Sequence, residues 1–122
     1  MAVRTYQELV AWQRAMDLVV KVYEVSGRFP REEVYSLTNQ LRRAAVSVPS
    51  NIAEGQGRGV GAEFARYLRI SQGSLQEMET QILIAERLGY VGIEDVQKIM
   101  ELSGEVGRLN RGLHASICEK SD

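Results

Sequence analysis

One cysteine, one histidine, two prolines and few aromatic residues leave this 122-residue chain without the equipment that many functional classes need. A lone cysteine, Cys118, forms no internal disulfide, which fits a reducing, cytoplasmic setting. His114 precedes it by four residues and shares its helix face, but two ligands make no zinc site and no other His or Cys exists. Scarce aromatics and prolines favour an all-helical domain over a sheet domain. Charge excess is also missing: 15 Lys and Arg stand against 16 Asp and Glu, so no bulk basic character draws nucleic acid. No apolar run approaches the roughly 20 residues that span a bilayer, and the opening MAVRTYQELV lacks the apolar core of a signal peptide. No cofactor, metal or small-molecule substrate is expected.

What is present is helical periodicity. Leu9, Trp12, Met16, Val19 and Tyr23 recur at 3-4-3-4 spacing and predict a first helix over about 6–25, stopped by Ser26-Gly27. Glu32 and Glu33 favour the positive end of a second helix over about 32–54, with Pro49 inside it. Glycines 55, 57, 59 and 61 form the connection. A third helix over about 62–88 carries Phe64, Leu68, Ser71, Leu75, Met78, Ile82 and Ala85 in a seven-residue rhythm, and Gly89 caps it. A fourth over about 93–118 carries Val96, Ile99, Val106, Leu113 and Ile117, interrupted by Ser103 and Asn110. Short connections predict one all-α domain, an antiparallel up-down-up-down four-helix bundle.

The run QLRRAAVSVPSNIAEGQGRG, residues 40–59, is the most distinctive stretch. At about 100° per residue, Val34, Leu37, Leu41, Ala44, Ala45, Val48 and Ile52 form an apolar arc. Gln40, Arg43, Ser47, Asn51 and Glu54 form a separate polar arc. Its short, amide-rich side chains read as a buried or interfacial seam in which Arg43 pairs with Glu54 or with Glu77 of the third helix, fixing register and assembly. An enzyme using Arg43 and Glu54 is the remote alternative, because no nucleophile with an activating partner is in evidence. The glycine run that follows lacks the Gly-Lys-Ser/Thr ending of a phosphate loop and reads as a helix stop.

The helices carry more apolar surface than one bundle needs. Tyr35, Val46 and Pro49 project away from the Leu41 stripe, Ile70, Ile84 and Leu88 lie off the third helix's core stripe, and Leu18, Val22 and Val25 form a second face on the first. Burying such a side chain is worth roughly 1.5–3 kcal/mol, so Tyr35, Val46, Ile70, Ile84 and Leu88 are expected subunit contacts. On the third helix Arg66, Arg69 and Arg87 share an arc with no carboxylate at its centre. Repeated around an oligomer, that stripe would let a neutral chain hold RNA or DNA phosphates, with Arg42 and Arg58 the next candidates.

The stretches YQELVAWQRAMDLVVKVY, FPREEVYSLTNQLRRAAVSVPSNIAEGQGRG and FARYLRISQGSLQEMETQILIAERLGY, within residues 6–90, resemble the bacterial four-helix-bundle family of 23S rRNA intervening-sequence proteins. The accessory variability protein of diversity-generating retroelements is a relative. The resemblance implies a homo-oligomeric, pentameric ring of bundles. It also implies a nucleic acid or a reverse-transcriptase-like enzyme as a partner. The resulting expectation is a non-enzymatic, cytoplasmic scaffold or binding module. The alternative is protein-directed assembly with no nucleic-acid contact.

Overall fold

The computed structural model describes residues 5–120. Four helices carry the fold: α1 (Val10–Ser26), α2 (Leu37–Gly57), α3 (Ala62–Arg87) and α4 (Ile93–Lys120). Single 3-10 turns, Tyr6–Glu8 and Arg31–Glu33, precede α1 and α2, and no strand occurs among the described residues. Helices α1 and α3 each pack on α2 and α4, so the four form a closed cycle around one core. In each pairing, higher numbers on one helix meet lower numbers on the next: Val48 meets Ser71 and Ser47 meets Ser74, while Gln72 meets Gly107 and Arg69 meets His114. Among the described residues no helix is long and apolar enough to cross a membrane.

Helix α3 follows its sequence rhythm closely. All seven residues of its stripe, Phe64 to Ala85, are buried, and Gly89 at φ +79° ends it as expected. There the Tyr90 N–H reaches the Ala85 carbonyl at 2.9 Å and the Gly89 N–H reaches that of Glu86 at 3.0 Å, a Schellman closure. Helix α4 likewise buries Val96, Ile99, Val106 and Ile117. Ser103 and Asn110 do not interrupt that stripe; they are buried within it.

Helix α1 is rotated from expectation. Leu18, Val22 and Val25, expected to form its spare face, are core residues, joined by Ala11 and Ala15. Met16 and Tyr23 are exposed, and Trp12 and Val19 are only partly buried. Small Ala11 and Ala15 let the backbone sit close to its neighbours, which a stripe built on Trp12 and Met16 would prevent. The helix also begins later than expected, because Leu9 is extended (φ −75°, ψ 126°) and separates it from the first turn.

Helix α2 is shifted at both ends relative to 32–54. Ser36 (φ −129°, ψ −101°) breaks helical continuity, so Glu32 and Glu33 lie in the preceding turn and Val34 is exposed rather than on the apolar arc. Glu33 still serves the positive end of α2 from outside: one carboxylate oxygen accepts from the Ser36 hydroxyl at 2.7 Å and from the Leu37 N–H at 3.4 Å. The Tyr90 hydroxyl donates to the other oxygen at 2.8 Å. The Ser36 bond, then the Tyr90 bond, holds the Glu33 carboxyl below its ordinary pKa.

At its far end α2 runs through Gly55 and Gly57, which were expected in the connection; the chain turns only at Gly59, φ +113°. Gly55 is a point of close approach. A Cβ there would lie 2.7 Å from the Tyr67 Cβ and 3.0 Å from the Phe64 ring. Replacing it with alanine should destabilise the protein by about 1–3 kcal/mol through overpacking. Gly73, exposed inside α3 with open space around it, gives the opposite case. Gly73→Ala should stabilise by about 0.5–1 kcal/mol through helix propensity. Urea unfolding of the two variants checks both signs.

Salt bridges tie α1 and the turn after it to α4. Lys21 and Arg28 both reach Asp95, at 3.1 and 3.0 Å, and Arg14 reaches Glu105 at 3.0 Å. The Lys21 hydrogen bond, assisted by the charges of Lys21 and Arg28, depresses the Asp95 pKa. A depressed carboxyl contributes stability that is present above its unfolded pKa, about 4, and is lost as pH falls through the folded value. Asp95→Asn should therefore lower Tm at neutral pH, with the gap to wild type closing in acid. Thermal melts across that range test the sign.

Candidate functional site

Three clefts between neighbouring helices collect several of the residues singled out from the sequence. The first lies between α1 and α2. Val46, Pro49 and Ala53 of α2 face Trp12, Met16 and Val19 of α1, with Tyr6 at one end, around an apolar groove of about 370 Å³. Tyr6 stacks edge-on against Trp12 at 5.3 Å between ring centroids, so the first 3-10 turn frames the groove. Val46 and Pro49 were expected on an outer face. The stripe displaced from the core of α1 supplies the opposite wall.

The second cleft, about 480 Å³ between α2 and α3, holds the predicted polar seam. Gln40, Arg43, Ser47 and Glu77 line it beside Tyr35, Ser74 and Gln81. Ser47 and Ser74 share a hydrogen bond of 2.8 Å, and the Asn51 amide donates to both the carbonyl and the hydroxyl of Ser47 at 2.8 Å. The expected buried ion pair is not formed. Arg43 is exposed and, among the described residues, makes no ion pair; Glu54 instead binds Arg58 one turn on, at 3.0 Å. A partner at i+4 on an exposed helix face competes easily with one across a cleft. Tyr35 stands 94% exposed at the rim, and Ile70, Ile84 and Leu88 are exposed along α3.

The third cleft lies between α3 and α4. Leu68, Arg69 and Gln72 of α3 face Asn110, Arg111 and His114 of α4 around about 350 Å³. Beneath it runs a buried polar chain that sequence periodicity registered only as gaps in the α4 stripe. The Asn110 amide donates to the Ser71 hydroxyl at 3.0 Å and to the Gln72 side-chain oxygen at 3.1 Å. Gln72 donates to the Gly107 carbonyl at 3.3 Å, and Ser71 to that of Val48 at 3.0 Å. His114 lies 3.6 Å from the Cys118 sulfur, as the shared face predicted, but no group of three potential metal ligands occurs among the described residues.

The arginines expected to bind phosphate differ in what holds them. Arg66 is held by Glu63 at 3.1 Å and Arg58 by Glu54, and both guanidinium groups lie over the Tyr67 ring, at 4.8 and 5.3 Å. Glu63, outside that arc, neutralises its first arginine through an i,i+3 contact. Arg42 is structural. It donates to the Ser26 hydroxyl at 2.8 Å and the Tyr23 carbonyl at 3.4 Å, and lies 4.5 Å above the Tyr23 ring. It thus satisfies the negative end of α1. Arg87 is exposed, and Arg69 faces the third cleft.

The neighbours Arg42 and Arg43 should consequently respond oppositely to truncation. Arg42→Ala should cost about 1–2 kcal/mol. Arg43→Ala should stay within about 0.5 kcal/mol, as for an unpaired surface residue. Chemical denaturation of the two variants distinguishes a clamp from a solvated charge.

An all-α protein of four helices, with clefts between its helices and no metal cluster among the described residues, is the class that this geometry defines. The chain belongs to the 23S rRNA-intervening sequence protein family, whose model matches residues 7–112. It is similar to the crystal structure of a protein of unknown function of the S23 ribosomal protein family from Bacteroides thetaiotaomicron, with a TM-score of 0.79 and 21% identity over 86% of this chain and 98% of that one. At that identity the likeness concerns the fold. No curated relative matches the sequence.

Proposed function

We propose that this protein is a non-enzymatic, cytoplasmic, homo-oligomeric scaffold. Its unit is an antiparallel up-down-up-down bundle, and the outer apolar faces join copies into a ring, a pentamer by its family resemblance. RNA, DNA or a nucleic-acid enzyme is the partner class to test first. The opposed order of contacts along neighbouring helices supports the antiparallel arrangement.

The observation that carries the assembly reading is the α1–α2 groove. Its walls are apolar, it contains the chain's one tryptophan, and Val46 and Met16 stand exposed at it. Contiguous exposed apolar surface of this kind marks interaction sites in soluble proteins. The non-enzymatic reading is supported by the α2–α3 cleft. There the Ser47 and Ser74 hydroxyls bond to each other, and Ser74 also to the Ile70 carbonyl, with no base hydrogen-bonded to either. A second reading, assembly with no nucleic-acid contact, is favoured by the neutralisation of Arg58 and Arg66 by their own glutamates.

Light scattering should give a mass above that of one chain at micromolar concentration. Val46→Glu should reduce it to a monomer and shift Trp12 emission to the red as the groove becomes wet. A wild-type monomer overturns the scaffold reading. An oligomer whose mass and Trp12 emission are indifferent to Val46→Glu moves the interface to the Tyr35, Ile70 and Ile84 faces.

A further inference from the structure

We infer that the α3–α4 cleft is a phosphate-binding site built on Arg69 and Arg111, with His114 as its sensor. The site is complete within one chain, so it does not depend on assembly. Only the attribution of its phosphate to a nucleic acid rests on the reading above.

Several cations of this protein are occupied. Arg14, Lys21, Arg28, Arg58 and Arg66 each hold a carboxylate, and Arg42 is taken by the last turn of α1. The α3–α4 cleft breaks that pattern. Two arginines line it from different helices, and no carboxylate does. Arg111 makes no ion pair among the described residues. Arg69 spends one N–H on the Nε2 of His114, at 3.3 Å. Arginine only donates, so that nitrogen must accept. The other ring nitrogen, Nδ1, lies 3.6 Å from the Cys118 sulfur.

Two arginines facing one cleft without a counter-charge repel each other, and an oxyanion relieves that repulsion. Guanidinium forks match phosphate oxygens in paired hydrogen bonds, and donors arriving from two helices suit a tetrahedral group better than a planar carboxylate. The volume, about 350 Å³, lies in the range of small-ligand sites. Gly107 of α4 leaves room beside two of the cleft's side chains: a Cβ there would lie 3.4 Å from an Arg111 terminal nitrogen and 3.8 Å from the Gln72 amide. The polar chain through Asn110 and Gln72 holds the floor in register.

His114 is the single histidine, so its ring signals report this cleft without ambiguity. The experiment titrates the full chain with inorganic phosphate, acetate, a 5′-mononucleotide and a single-stranded RNA oligomer, following the His114 Cε1–H resonance at low, matched ionic strength. Phosphate should shift that resonance saturably, and acetate should not. Arg111→Gln should weaken phosphate about tenfold, the size of one lost charged hydrogen bond. Lys98→Gln, an equal loss of charge at an exposed position of α4, should leave it unchanged. Circular dichroism checks that each variant keeps its helices, and Arg111→Lys, which keeps charge but loses the fork, should also weaken binding.

RNA that shifts the same resonance and competes with phosphate assigns the site to a nucleic-acid backbone. Phosphate or mononucleotide binding without RNA binding supports the site and sinks its nucleic-acid attribution. No saturable shift with any phosphate, an equal response to acetate, or equal losses in Arg111→Gln and Lys98→Gln would overturn the proposal.

Discussion

The Ser71 hydroxyl joins three of the four helices. It donates to the Val48 carbonyl on α2 and accepts from the Asn110 amide on α4, with both Ser71 and Asn110 fully buried. Apolar side chains would let three helices slide by a turn at modest cost, since burial is non-directional. A buried hydroxyl with a defined donor and a defined acceptor does not, because another register breaks both of its bonds in a dry interior. The positions of the α2–α3 and α3–α4 clefts follow from that lock. It sets Ser47 opposite Ser74 on one side of α3, and Gln72 and Arg69 opposite Gly107 and His114 on the other.

With the register set, the molecule divides its surface by chemistry. The α1–α2 side is apolar, the α2–α3 cleft is polar, and two arginines with no carboxylate line the α3–α4 cleft. A chain of net charge −1 can present two arginines to one cleft because several of its other cations are neutralised where they stand, by carboxylates three or four residues away or across α1 and α4. Local charge arrangement, not total charge, then decides what the surface attracts.

Much of this was legible from residue spacing, and the failures share one cause. The α3 stripe and its Gly89 cap were readable because one apolar set is clearly dominant and one glycine closes the helix. On α1 two apolar stripes compete. Hydrophobicity favours the one with Trp12 and Tyr23, whereas closeness of approach favours the one with Ala11 and Ala15, and spacing alone does not weigh them. The arginines show the same limit. Spacing placed Arg66 and Arg69 on one arc, but side-chain reach gave Glu63 to the first and His114 to the second. Arg111 was not singled out at all, since its significance depends on what α3 brings to face it.

The sequence by itself determined that the chain is helical, where α3 begins and ends, and to which family it belongs, because these rest on local periodicity, caps and a long specific run of residues. Tertiary structure alone decided which face of α1 is core, that Gly55 is a contact rather than a stop, that Arg42 is a clamp and Arg43 a free charge, and that Arg69, Arg111 and His114 share a cleft. Each of these depends on the distance between residues far apart in the chain. That distance is set by close packing and by the Ser71 register lock, neither of which is a property of any single segment.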